Sequence, residues 1–429
     1  MDFQTRLLKA IPGGAHTYSR GFDQFPQNAP QILSRGKGCY VYDDKDQAYL
    51  DFGMGLRSVT IGYAEERINQ AAFREMEKGN TLTRATMVEL EAAEKFLDLI
   101  EAADMVKFAK NGSCATTAAV KLARAYTGRK IIARCRQPFF SFDDWFIGST
   151  DMAHGIPDEA KSLTQQFGYN DLASLKELEA KHPGQIACVI LEPVTSEKPK
   201  EGFLESLREF CTQKGIVLIF DEMITGFRWH LGGAQKYFGI KPDLSTFGKG
   251  IANGFPLAAV AGKREIMQLG STEIPGQERL FLLSSTHGSD MASFGAFLET
   301  IKFMEEHKVV EELWNFGEKF FALFNRQIEA NKLKDFFKIE GYHCSPYFVT
   351  KDRDGQVSLP LRTVFLQEMV KSQVLIPWVA LCYRHKDIDL TKLEEAVSKS
   401  LKVYVKALED GVEKHLLGPA VKPVFRRYN

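Results

Sequence analysis

The chain has 429 residues, with 55 lysines and arginines balanced by 55 aspartates and glutamates. A formal charge of zero excludes the basic field that nucleic-acid or anionic-membrane partners require. A 44% hydrophobic and 26% charged composition describes an ordinary globular protein, long enough for two or three domains.

Seven cysteines (39, 114, 135, 188, 211, 344 and 382) are scattered without a CxxC pair. That spacing suits no metal and implies free thiols in a reducing compartment. No apolar run reaches the length of a membrane span, and Met-Asp-Phe-Gln-Thr-Arg lacks a signal core. A cytoplasmic location without membrane contact is expected.

In chain order, residues 1–35 combine a short helix with an irregular loop, Pro12-Gly13-Gly14-Ala15-His16-Thr17-Tyr18-Ser19-Arg20. Arg20 there reads as a solvated charge in preference to an anion contact. Cys39–Tyr42 and Ala48–Phe52, joined by Asp43-Asp44-Lys45-Asp46, predict a hairpin. Apolar spacing predicts helices over 65–79 and 86–101. Met105–Ala109 predicts a strand, Asn111-Gly112-Ser113-Cys114 a loop opening a helix to about Tyr126, and Lys130–Ala133 a second strand.

Ala187–Leu191 and Ile216–Phe220 are continuous apolar runs, ending at Glu192-Pro193 and Asp221-Glu222, with an amphipathic helix and Gly215 between them. Such alternation predicts a mostly parallel sheet covered on both faces, with ligands gathering at its carboxyl edge. After about residue 310 a Phe-rich helix, a strand pair around Tyr347–Val349 turning at Asp354-Gly355, and a helix opened by a Thr391-x-x-Glu394 capping box predict an α+β domain. The expected division is 1–60 joining the smaller domain, 61–310 the larger and 311–429 the C-terminal domain.

Three features converge in the larger domain. Lys249 is flanked by Gly248 and Gly250, so its amine is open to a carbonyl compound. Asp221 ends a buried strand, where a carboxylate needs a cationic or proton-donating partner. Gly112, Ser113 and Cys114 open a helix whose amides and dipole suit a phosphate. Each has a plainer reading: a surface lysine in a turn, an N-cap, a tight turn. Together, in an alternating α/β region, they are the parts of a pyridoxal phosphate site.

The motifs carry a resemblance. Ile219–Arg228 (Ile-Phe-Asp-Glu-Met-Ile-Thr-Gly-Phe-Arg) resembles the "FDEVMTGFR" of class III aminotransferases, Thr246–Lys249 their "TLGK", Ile190–Pro193 their "ILEP" and Gly262–Met267 their "GGRREIM". The chain is similar over nearly its whole length to these enzymes of pyridoxal phosphate fold type I, and especially to those like glutamate-1-semialdehyde 2,1-aminomutase.

The resemblance implies that Lys249 holds the cofactor and shuttles a proton, and that Asp221 bonds the ring nitrogen. Met223 and Phe139 would pack on the ring, and Glu192 would line the pocket. Gly112, Ser113 and Cys114 would bind the phosphate, with Thr286 reaching it from the other subunit of a homodimer.

Several departures bear on function. The family's "NSGTEA" is Asn-Gly-Ser-Cys-Ala-Thr here, which leaves Ala115 where an acid is expected. The aminomutase's glutamate-bearing "QFEAGF" is replaced by the shorter Ile376–Cys382, and its "SFGAP" by Asn80-Thr81-Leu82-Thr83-Arg84. Without these closing elements, amino transfer between separate molecules is favoured over an internal shift. Arg20 aligns with an arginine that holds substrate carboxylate, and Arg84 joins it at the rim.

Phe139–Thr150 resembles a "YHGWxDWYIGST" version found in enzymes of surface-polysaccharide and sugar biosynthesis. The implied reaction moves an amino group from L-glutamate to a keto- or aldo-sugar carbonyl. A 2,1-aminomutase, an omega-amino-acid transaminase or a non-catalytic scaffold are the alternatives.

Overall fold

The computed structural model describes residues 2–194 and 196–428. The chain divides into two compact units: residues up to Glu65 with Glu311–Arg426, and Glu66–Val310 with the last residues from Arg427.

The second unit is built on a seven-stranded sheet: β1 Met105–Ala109, β2 Ile131–Cys135, β3 Thr164–Phe167, β4 Ile186–Leu191, β5 Val217–Asp221, β6 Leu244–Phe247 and β7 Ala258–Gly262. The spatial order is β1-β7-β6-β5-β4-β2-β3. Only β7 runs antiparallel to its neighbours, and the pairings from β6 to β3 are parallel.

Every residue of β4 and β5 is buried, which is why both read as unbroken apolar runs. β7 is made of small residues, Ala-Ala-Val-Ala-Gly, and its last position demands glycine. A Cβ on Gly262 would fall 2.3 Å from the Asp243 carbonyl oxygen.

The helix Gly112–Thr127 follows β1. Asn111 caps it by accepting the Cys114 N–H at 2.9 Å. Gly128, at φ 67°, ends it by donating to the Arg124 carbonyl. Ala115, Ala118, Ala119 and Ala123 form its buried face, and small side chains there let the helix lie close to its neighbours.

Phe247, two residues before Lys249, is fixed in an aromatic cluster. Its ring centroid lies 5.1 Å from Phe96 and 5.7 Å from Phe227.

The first unit has a four-stranded sheet of Leu33–Lys37, Tyr40–Asp43, Ala48–Asp51 and Val374–Leu375. The hairpin expected at 39–52 is formed by the middle pair. The later strand pair differs from expectation. Phe337–Tyr342 pairs with Ser345–Thr350 and turns at His343-Cys344, while Asp354-Gly355 closes only a single bridge, Lys351 to Val357. Phe337–Tyr342 buries only Phe337 and Ile339 deeply, and its alternation stops at Gly341, so the strand is faint in the sequence.

The last helix is Asp387–Asp410, so Thr391 lies inside it. Asp389 does the capping instead, by accepting the Lys386 N–H at 2.7 Å.

Met54–Arg57 takes four successive positive φ values: 40°, 57°, 64° and 67°. Three of the four residues are not glycine, and each costs roughly 1–3 kcal/mol in this region. The buried Asp51 carboxylate holds the turn by accepting from Gly53 N–H (2.7 Å), Met54 N–H (3.0 Å) and Tyr63 O–H (2.7 Å). Trp378 adds a bond from Nε1 to the Gly53 carbonyl at 2.9 Å.

Candidate active site

Because β1, β4, β5 and β6 point the same way, the residues that follow them share one edge of the sheet. These are Asn111, Glu192, Asp221 and Lys249. The register keeps them level, with Leu191 opposite Phe220 and Asp221 opposite Thr246.

Asp221 is 1% exposed. Its Oδ1 accepts the Met223 N–H at 2.9 Å. Burial pushes its carboxyl up to about 7, and the charge of the nearby Lys249 works in the opposite direction. The adjacent Glu222 is occupied elsewhere, accepting from Ala234 N–H, Gln235 N–H and the Thr225 hydroxyl. Of the two consecutive acids, only Asp221 is left to face a ligand.

Lys249 is half-buried and begins a 3-10 turn at φ 44°, left-handed for a residue with a Cβ. Gly248 before it is extended, at φ −178°. The need for glycine at 248 comes from packing. A Cβ there would sit 2.6 Å from the Met223 sulfur, and one on Gly112 would sit 2.9 Å from the same atom. Met223 thus lies against both the lysine segment and the helix-opening segment.

In the first turn of Gly112–Thr127 the Cys114 N–H is taken by Asn111, and the Gly112 and Ser113 amides have no intrahelical partner. Ser113 Oγ accepts the Phe142 N–H at 3.0 Å and retains its own hydrogen to donate. Ala115 is wholly buried, so a carboxylate there would be desolvated.

Phe139–Thr150 is latched onto the same helix. Thr116 Oγ1 donates to the Phe140 carbonyl at 2.8 Å. Thr117 donates to Asp143 and receives the Trp145 Nε1–H at 2.8 Å. Phe139, 49% exposed, stands edge-on to Phe146 at 5.4 Å. Arg134 lies 4.9 Å from the other ring contact of this cluster, Phe146, and bonds Ser149. The bonding of Thr117 to Asp143 and Trp145 is not visible in the sequence because it spans almost thirty positions.

Glu192 is buried at the end of β4. Arg84 is exposed in the loop before the helix Met87–Leu99, and Thr286 is exposed in the loop before Met291–Glu306. Arg20, also exposed, ends a 3-10 turn in the first unit.

These residues fit pyridoxal phosphate. A desolvated carboxyl near neutrality suits a protonatable ring nitrogen. The two helix-opening amides with the Ser113 hydroxyl suit a phosphate, and an amine flanked by glycine suits a carbonyl carbon. Among the described residues no cluster of His, Cys, Asp or Glu could hold a metal ion, and no helix is long and apolar enough to cross a membrane.

Residues 23–339 match the family Aminotransferase class-III. The chain is 33% identical over 411 residues to a 3-aminobutyryl-CoA aminotransferase of Cloacimonas acidaminovorans, covering 94% of this chain and 96% of that protein. It is 31% identical over 417 residues to a glutamate-1-semialdehyde 2,1-aminomutase of Archaeoglobus fulgidus, covering 92% and 97%. Among solved structures it superposes on the FumI protein of Sphingopyxis sp. MTA144 in its PLP-bound form, with a TM-score of 0.84, 25% identity and coverage of 95% and 96%.

Proposed function

The chain belongs to the class-III aminotransferases, a pyridoxal phosphate-dependent family of fold type I, and from that premise we propose that it transfers an amino group between two separate small molecules. The donor is L-glutamate and the acceptor a keto- or aldo-sugar carbonyl. The observation that carries amino transfer is the gathering of Asp221, Met223, Lys249 and the Gly112 and Ser113 amides at one sheet edge.

Bound pyridoxal phosphate supplies a carbonyl that takes up the amino group and a ring that accepts electrons. Lys249 Nζ would hold the cofactor through its carbonyl carbon and would be the group that carries a proton between carbon positions. The Asp221 carboxylate keeps the ring nitrogen protonated. Met223 and Phe139 would confine the ring, and Glu192 would line its pocket. Gly112 N–H, Ser113 N–H and Ser113 Oγ bind the phosphate, whereas the Cys114 N–H is committed to Asn111. Arg84 binds the substrate's anionic group, and Arg20 is a second candidate for the same role.

Transfer between molecules is supported by Ile376–Cys382. Ile376, Val379, Ala380, Leu381 and Cys382 are each at most 2% exposed, and none bears a carboxylate that could retain a bound intermediate. The sugar acceptor is supported by the kept pattern of Phe139–Thr150. The relatives favour a second reading, an internal 2,1-shift or transfer from an omega-amino acid donor.

Two incubations separate these readings. Loss of the bound-cofactor absorbance with glutamate, and its return with an amino-accepting sugar, supports the proposal. Conversion of glutamate-1-semialdehyde with no added donor sinks it.

A homodimer is part of the reading. Phe73, Met76, Leu82, Met87 and Leu90 expose 46–67% of their surface within residues 73–90, a patch that a second copy would cover. Thr286, exposed on its own chain, would then reach the partner's phosphate. The seven free cysteines support a cytoplasmic setting.

A further inference from the structure

A polar knot lies beside the site, made by residues not so far given a role. Lys110 Nζ donates to Asp290 Oδ2 at 2.9 Å and to the Pro256 carbonyl at 3.2 Å. Ser293 Oγ lies 2.5 Å from the same Asp290 oxygen and 3.3 Å from the same Pro256 carbonyl. Asn80 closes the knot. Its carbonyl accepts the Met291 N–H at 2.9 Å, and its Oδ1 accepts the Ala292 N–H at 3.0 Å. The Lys110 and Asp290 side chains are only 18% and 15% exposed.

Four stretches of the proposed site meet here. Lys110 immediately precedes Asn111-Gly112-Ser113. Pro256 ends the loop that starts at Lys249. Asn80 opens the segment bearing Arg84. Asp290 ends the turn that carries Thr286, in which Gly288 N–H donates to Ser285 and Asp290 N–H to His287. An exposed ion pair adds little to stability. A pair this sheltered is different, because loss of one partner strands the other charge. Asp290 is also the N-cap residue of Met291–Glu306, where the helix dipole favours a carboxylate.

We propose that Lys110 and Asp290 are positioning residues for the cofactor site, fixing the Gly112–Ser113 amides, the Lys249 loop and the Thr286 turn relative to one another. Neither touches the cofactor. The inference rests on the reading of Gly112, Ser113 and Lys249 given above.

The test is pyridoxal phosphate affinity, measured by titrating cofactor-free protein and following absorbance of the bound form. Lys110→Met and Asp290→Asn should each weaken binding about tenfold, with the double variant no weaker than the worse single, because both remove one interaction. Lys110→Arg should keep most of the affinity. A merely structural pair would lower the melting temperature and leave the affinity of the folded protein unchanged, and that result overturns the proposal. So do losses that add in the double variant.

Should the single variants fail to fold, Ser293→Ala removes one arm of the knot. A two- to threefold weakening, roughly that of one neutral hydrogen bond, supports the proposal, and wild-type affinity overturns it. Wild-type protein that never takes up pyridoxal phosphate would sink the underlying functional reading, which this same titration shows separately.

Discussion

Gly248 and Met223 meet so closely that a single methyl group would not fit between them, since a Cβ built on Gly248 falls 2.6 Å from the Met223 sulfur. Gly248→Ala must therefore displace Met223 or shift the Lys249 backbone. Either result costs about 1–3 kcal/mol as overpacking in a buried setting and weakens cofactor binding. Met223→Ala removes the obstacle, so the pair Gly248→Ala with Met223→Ala should bind cofactor better than the two single losses predict by addition. Strict additivity in a double-mutant cycle would show that the contact does not matter.

Lys249 carries both the proposed chemistry and backbone strain, which predicts an unusual pair of effects. Lys249→Gly removes the amine and abolishes turnover. It also relieves the positive φ of 44°, so the cofactor-free variant should be more stable than Lys249→Ala by about 1 kcal/mol. Thermal melts of the two cofactor-free variants provide the comparison. Retained turnover in either variant would remove Lys249 from the mechanism.

Thr117 serves two partners at once, Asp143 and the indole N–H of Trp145. Thr117→Val keeps the shape and strands both groups near the helix that bears Ser113. The expected loss is about 1–3 kcal/mol of stability, accompanied by weaker cofactor binding as Phe139 and Phe142 lose their anchor. Thr117→Ser should restore most of both. A Val variant with wild-type melting and affinity would mean that the latch is dispensable.

Much of the sheet was legible because its strands are buried on both faces, and burial writes itself into sequence as Ile186–Leu191 and Val217–Asp221. Asp221 was legible because it ends such a run, Lys249 because glycines flank it, and the loop at Gly112 because it opens a helix. What stayed hidden depends on partners far apart in the chain. The use of the Cys114 amide by Asn111 shows only once the helix start is placed. The left-handed turn Met54–Arg57 has glycines at 53 and 55 as its only local cue, and what stabilises it is Asp51, Tyr63 and Trp378. Phe337–Tyr342 was missed because a half-polar strand on a two-stranded sheet lacks a clean alternation.

Asp221 should make the stability of the cofactor-free protein depend on pH in a direction opposite to most carboxylates. Its ordinary value is 3.8, and burial raises it to about 7 in the folded chain. The folded state therefore holds the proton more tightly than the unfolded state. This contribution is fully present below pH 3.8 and is lost as pH climbs toward 7. Other buried acids, Asp51 and Glu222 among them, also have their carboxyls raised by burial. The useful quantity is thus the difference in melting temperature between wild type and Asp221→Asn, in which their effects cancel. That difference should shift against the wild type between pH 4 and 7 and then level off. With pyridoxal phosphate bound, the ring nitrogen gives the ionised carboxylate a partner, and the same difference should flatten or reverse. Equal pH profiles for wild type and Asp221→Asn in the cofactor-free state would mean that the carboxyl is not desolvated in the way the structure implies.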